Sequence, residues 1–377
     1  MLRELRKQKK LTQAECAKYL GVPLRTYQNY ETDAAKRTSI KYLYMLEKLE
    51  QYGFVDEDHG ILSIQKIKDV CTDVFADLSY TDMLDKVKSL GINAVEMTAG
   101  GWGARKHCNT AELLADPEKL QAFQEELDKR GMRISALNTS CNPLWPSKTG
   151  EEYKKSMYDC AVLAGKLGVK KIVAMAGLPA GNETDTTPNW ITSTVSWPDF
   201  MAPAYEYQWK VTIEFWKEFA KHCKSCGVEQ IAIEEFPGTM VWSAETMLKL
   251  RNATDPMIGI NLDPSHMIIL GADPIAAVRA LKGCIFHVHG KDARIERGLA
   301  DVNGILEPKP VTESSDRVWN YVAVGCGQDL KWWKEFFSVL SMMGYSGDVS
   351  LEMEDLTMSV EAGVVTSIDA LNQTISK

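Results

Sequence analysis

No run in this 377-residue chain approaches the roughly 20 consecutive apolar residues that a bilayer-spanning helix needs. The opening MLRELRKQKK also lacks the apolar core of a secretory leader. The expectation is a cytoplasmic protein with no membrane partner. Cysteine offers no disulfide framework: there are nine, an odd number, and the single CxxC, Cys223 to Cys226 beside His222, has no second half elsewhere. These three are read as ordinary residues of a helical stretch. A charge of one sign is lacking too. The net charge of −8 hides a basic head, with 11 Lys and Arg against 6 Asp and Glu in residues 1–50. The rest carries 32 against 45, so only the head is suited to a polyanion.

What is present divides the chain into two or three domains on length alone. The head, LTQAECAKYLGVPLRTYQNYETD, reads as two short helices and a tight turn. Thr12 and Glu15 are spaced for a capping box, Ala17, Leu20 and Val22 suit the contact between helices, and Gly21 supplies the turn. The second helix would display Arg25, Thr26, Gln28 and Asn29 toward bases and phosphates, with Lys36 and Arg37 as further phosphate contacts. These residues resemble the helix-turn-helix domain of the phage-repressor and Cro type over about residues 1–55. The resemblance implies DNA as a partner, and a domain this small implies a homo-oligomer reading two half-sites. A linker is expected over 56–68, and the body over 69–377.

In the body, apolar runs alternate with amphipathic helical stretches. The runs are 69–76, 92–97, 133–138, 170–177, 229–236, 258–264, 285–290 and 348–353. Eight such units predict an α/β fold of the (β/α)8 TIM-barrel kind, with an open doubly wound sheet as the alternative. Four of the runs end on a metal-capable side chain: Glu234, Asp263, His289 and Glu352. Three carboxylates and one imidazole suit a divalent ion with open positions, Mn²⁺ first, with Mg²⁺, Co²⁺ or Zn²⁺ as alternatives. Such residues at strand ends lie where barrel active sites are built.

The segments VEMTAGGWG, SALNTSCNPLWP, NLDPSHMIILGADPIAAVRAL, HVHGKDARI and LEMEDLTMSVEAG resemble the sugar phosphate isomerase/epimerase branch of the xylose isomerase-like TIM barrels. That resemblance implies metal ligation by the same four residues. It also implies that Glu234 and Glu352 face opposite sides of the substrate carbon, one taking a proton and the other returning it through an enediolate. It implies substrate contact by His266, to which Glu96, Asn138 and Arg294 (or Lys291) are added as polar candidates at the same face, with Asn142 behind them. His287 is read as a partner to the ligands, and Glu235 as pointing away. Two long loops, 178–209 and 294–330, should cover the site, with Trp190, Trp197, Trp209 and Trp319 offering flat surface for substrate or packing the lid. Phe236 and Trp145 stand where many relatives have histidine, which makes the pocket more apolar. Three other readings are weighed: a regulator whose barrel only senses a sugar, the catalytic subunit of a C-glycoside deglycosidase with a small partner subunit, and a phosphodiesterase. The last needs more histidines than the six present.

Overall fold

The computed structural model describes residues 2–9, 11–20, 22–33, 42, 45, 49, 69–103 and 105–375. The expected linker, Gly21, Lys36 and Arg37 lie outside them. The chain separates into two compact units, Met1–Leu62 and Ser63–Lys377.

The first unit contains α1 (Leu2–Gln8), α2 (Gln13–Tyr19) and α3 (Leu24–Thr32). Thr12 caps α2 through the Glu15 amide, and the Glu15 carboxylate returns to the Thr12 amide, so two otherwise unpaired donors are satisfied. Ala17, Leu20 and the fully buried Tyr27 meet Leu2, Tyr42, Met45 and Leu49 in one small core. Arg6 ties α1 to α3 through Glu31 at 2.8 Å. On α3, Arg25 and Asn29 are exposed and Thr26 is half-buried. Gln28 is half-buried and donates to Gln13 Oε1 at 3.3 Å.

The second unit is a ring of eight parallel strands, one at each expected run. They are β1 (Asp69–Val70), β2 (Ala94–Thr98), β3 (Arg133–Asn138), β4 (Lys171–Met175), β5 (Gln230–Glu234), β6 (Ile258–Leu262), β7 (Ile285–Gly290) and β10 (Val349–Leu351). β10 pairs with both β7 and β1, and the ring closes where Cys71, just beyond β1, pairs with Glu96 of β2. Strand side chains alternate between the two faces. Val95, Ile172, Ile231, Ile233, Ile260, Val288 and Val349 belong to the large core that the surrounding helices cover. A separate small cluster, Ala136, Val173 and Ala232, forms apart from it. Trp216, Phe219, Trp333, Phe336 and Phe337 anchor the helix layer; each is at most 1% exposed, so truncating one to alanine should cost about 3–5 kcal/mol.

Two expectations need correction. The segment 178–209 is not loop throughout, because a 28-residue helix, Pro198–Ser225, begins inside it. Pro198 occupies the first turn, where a missing N–H costs little. Residues 294–330 are also built: β8 (Asp292–Ile295) and β9 (Trp319–Val322) form an antiparallel ribbon, with a helix Arg297–Asn303 between them. Cys223 and Cys226 are helix-end residues as expected, and His222 Nε2 lies 3.2 Å from the Tyr158 carbonyl.

Candidate metal centre

The loop after β6 shows how local structure aims a ligand. Asp263 caps the helix Pro264–Ile269: its Oδ1 accepts the Ser265 amide at 2.9 Å and the Ser265 hydroxyl at 2.6 Å. The capping demand fixes one oxygen and leaves Oδ2 facing inward, 3.3 Å from His266 Nε2. Glu234 ends β5, His289 is the fifth residue of β7, and Glu352 follows β10 directly. One ligand atom from each of Glu234, Asp263, His289 and Glu352 lies within 4.8 Å of the others. Glu234, Asp263 and His289 are buried, while the Glu352 side chain keeps 22% of its surface.

His289 Nδ1 faces Glu352 at 2.9 Å, Asp263 at 3.6 Å and Glu234 at 3.7 Å. Yet Asp263 Oδ2 and Glu352 Oε2, both inaccessible to solvent, accept no aligned hydrogen bond. A buried carboxylate oxygen without an aligned hydrogen bond is costly. Two of them facing one imidazole nitrogen form a donor set that a divalent cation fits.

The electrostatics point the same way. Burial alone would raise Asp263, but His266, His289 and Lys291 hold it low. Burial likewise opposes ionisation of Glu352, and Lys291 and His289 outweigh it, bringing it down to about 2. Glu234 is raised by burial, only partly offset by His266 and His289. His289 is held well above its ordinary value: burial opposes protonation, but the carboxylates, Glu96 and Glu352 first, prevail. The centre draws positive charge to itself.

The surrounding side chains sort into three groups. His266 bridges inward, with Nε2 3.0 Å from Glu234 Oε1 and Nδ1 3.0 Å from the Tyr321 hydroxyl. Phe236 packs edge-on against its ring at 4.5 Å. Glu96 does not reach the cavity; it sits behind His289, against His289, His287 and Asn138. Glu235 points away and accepts the Asp263 amide at 3.0 Å. Asn142 serves the backbone, donating to the Leu178 carbonyl and accepting the Leu178 and Leu144 amides.

A cavity of about 500 Å³ opens over Glu234 and Glu352. Asn138, Ser140, Lys291 and Glu354 give it polar lining, and Trp102, Met175, Phe236, Val311, Tyr321, Met353 and Leu356 give it an apolar side. Trp102, 55% exposed, is carried by a loop whose glycines are required. A Cβ at Gly101 would overlap the Ser140 carbonyl, and one at Gly103 would overlap Thr98. Sequence reasoning passed over Trp102 and Tyr321; the GGWG run was the available signal for the first. The four tryptophans expected over the site do not line this cavity: Trp190 packs on Trp242, Trp209 is buried, Trp319 bonds the Ile305 carbonyl, and Trp197 stacks on Phe200. Arg294 does not line it either. It lies on the ribbon with its guanidinium held by Glu296 at 2.8 Å, so its charge is already matched. The cation of the cavity is Lys291, 3.3 Å from Glu352 and also paired with Glu354.

A closed ring of eight parallel strands, with its donor set at the carboxyl ends, defines a TIM-barrel enzyme architecture. The chain belongs to the xylose isomerase-like TIM barrel family, whose model matches residues 84–374. A helix-turn-helix model matches residues 2–49. The Bacillus subtilis (strain 168) protein YfiH is 55% identical over 307 residues, covering 81% of this chain and 98% of its own length. An inosose dehydratase of Clostridium tetani is 29% identical over 160 residues, 40% of this chain and 51% of its own. Among solved structures, the IolI protein with a bound zinc atom has a TM-score of 0.55 at 19% identity, covering 82% of this chain and 99% of that one. L-ribulose 3-epimerase has a TM-score of 0.52 at 16% identity, covering 82% and 92%. At those identities the structures speak for the fold alone. No helix among the described residues is long and apolar enough to cross a membrane.

Proposed function

We propose that the barrel is a divalent-metal-dependent sugar isomerase or epimerase that moves a proton at the carbon beside a substrate carbonyl. The observation carrying this reading is the convergence of Glu234, Asp263, His289 and Glu352, with two buried carboxylate oxygens that accept no aligned hydrogen bond. These four would hold the ion, Mn²⁺ by preference. When bound, it would polarise the carbonyl and offset the negative charge that develops as the proton leaves. Glu352 lines the cavity and keeps part of its surface open, so its carboxylate can reach a substrate proton and would act as the base. Glu234 also lines it, with His266 fixing its Oε1, and would carry the returning proton. Asn138 can orient hydroxyls from the cavity wall. The shared first step, removal of a proton next to a carbonyl, is also open to dehydration, the reaction named for the Clostridium tetani relative.

The test is solvent deuterium wash-in across unphosphorylated and phosphorylated ketoses and inososes, with the protein loaded with Mn²⁺. Label should enter the carbon beside the carbonyl of at least one substrate, even where no product accumulates. No incorporation anywhere in the panel would remove the proton-transfer reading.

The helix-turn-helix match supports a second role. Residues 1–55 would bind DNA as a homodimer through Arg25, Thr26 and Asn29, with Gln28 shared between Gln13 and the DNA. The protein would then be an enzyme tethered to an operator, or a barrel whose ligand tunes repression. Operator affinity measured with and without the barrel's substrate separates the two.

A further inference from the structure

We infer that Lys171, His287 and Glu96 form a positioning chain that fixes which nitrogen of His289 faces the metal. The inference rests on the metal reading above. An imidazole can offer a cation only a nitrogen lone pair, and the partner of its other nitrogen decides which one that is. His289 Nε2 lies 3.1 Å from Glu96 Oε2. The Asn261 side-chain amide lies 3.0 Å from the same nitrogen, and its Oδ1 is buried without a partner, so with that oxygen turned inward it accepts from Nε2–H as well. Glu96 is the charged acceptor of the two and holds the proton on Nε2.

The orientation of Glu96 is set in turn from across the barrel. Lys171 has only donors to give, and its Nζ is 3.3 Å from His287 Nδ1. That makes His287 Nδ1 the acceptor and Nε2–H the donor, which reaches Glu96 Oε2 at 2.9 Å. Asn138 Nδ2 donates to the other oxygen, Glu96 Oε1, at 2.7 Å. Every link then has one permitted direction, from β4 to β7 to β2, and the chain ends with the His289 Nδ1 lone pair aimed at Glu234, Asp263 and Glu352. Glu96 and His287 are fully buried, so no water competes for these bonds. Glu96 has no access to substrate; it acts through His289.

The test compares full-length wild type with Glu96→Gln and Lys171→Met. Each is stripped of metal and then titrated with Mn²⁺ against a chromophoric chelator and with Co²⁺ by visible absorption. Glu96→Gln keeps the volume but loses the charge and one acceptor oxygen, so its affinity should fall about 10–100-fold and its Co²⁺ spectrum should change. Lys171→Met, two contacts from His289, should lose several-fold. In Zn²⁺-loaded wild type, imidazole ¹⁵N correlations should show Nδ1 ligated and Nε2 protonated at His289. Wild type that takes up no ion would end the metal reading itself. Wild type that binds one ion, with Glu96→Gln binding equally tightly and with an unchanged spectrum, would overturn the chain alone; so would ligation through Nε2. Two ions per chain, the second lost in Glu96→Gln, would also overturn it, since Glu96 would then be a ligand. Should Glu96→Gln fail to fold, Lys171→Met decides, and unaltered affinity there is a refutation.

Discussion

Two buried carboxylate sites lie almost side by side along residues 289–292, and they are finished in opposite ways. At Asp292 every lone pair is used. Its oxygens accept the amides of Ala293, Gly325, Gly327 and Gln328 and the Trp333 indole, at 2.8–3.2 Å. At the neighbouring centre Asp263 and Glu352 each keep a buried oxygen with no donor aligned on it. The same side-chain chemistry thus serves two ends. A saturated carboxylate knots the ribbon and the 323–328 turn to the barrel, and an unsaturated one waits for something from outside the chain. Incomplete satisfaction together with convergence on a common point separates the reactive site from the structural one.

The strongest challenge to that contrast is Glu352→Gln. Turnover should fall about a thousandfold or more while circular dichroism stays that of wild type, because a base and a metal ligand are lost while the volume of the side chain is kept. Retained turnover would reassign Glu352. Asp292→Ala should do the reverse. It leaves four backbone donors unpaired and should lower unfolding free energy by about 3 kcal/mol or more in urea titrations, with metal affinity little altered. A smaller stability effect follows from loading the centre. At a free Mn²⁺ concentration one hundred times its Kd, stability should rise by about 2.7 kcal/mol, and this gain should vanish in Asp263→Asn.

A pH experiment makes a finer distinction, because Asp69 is a third kind of buried carboxylate: neither oxygen accepts an aligned hydrogen bond, and Oδ2 lies 4.0 Å from His287 Nε2. Burial, then Glu96 and Asp348, push its carboxyl up to about 8. The folded state therefore keeps a proton that the unfolded state releases near pH 4. Its contribution to stability is complete below about pH 4 and is lost as pH climbs to about 8, by up to about 1.4 kcal/mol per unit. Asp69→Asn should flatten that slope in urea titrations at pH 5, 6.5 and 8; an unchanged slope would place the titration elsewhere. In the helical unit, Arg25→Ala should weaken DNA binding and lower the log–log salt slope by about one, read by fluorescence anisotropy.

Much of this could be read from sequence where the signal is local. Each ligand closes an apolar run, and a carboxylate or imidazole at the end of a buried strand has few structural reasons to be there. Asp263 was doubly marked, by Pro264 at the first helical position and by its place after IGINL. Other features depend on contacts distant in sequence. The ribbon pairs residue 292 with 322 and 295 with 319, and neither strand alternates clearly enough to be seen alone. Pro203, inside the helix Pro198–Ser225, disguised its first turns as loop. Glu96 could be placed on the correct strand, though it lies in the middle of β2 and not at its end, and its partners, His287 and His289, stand 191 and 193 residues away. Position was readable there; the direction in which the side chain would be used was not. Arg294 failed for a different, local reason: Glu296, two residues on in the same segment, holds its guanidinium at 2.8 Å.

The account turns on whether Glu234, Asp263, His289 and Glu352 hold an ion, and metal stoichiometry measures that most directly. Protein stripped with chelator and dialysed against Mn²⁺ should return one ion per chain by elemental analysis, and Asp263→Asn should return far less. Wild type that returns none, or an Asp263→Asn variant that binds as tightly as wild type, would contradict it.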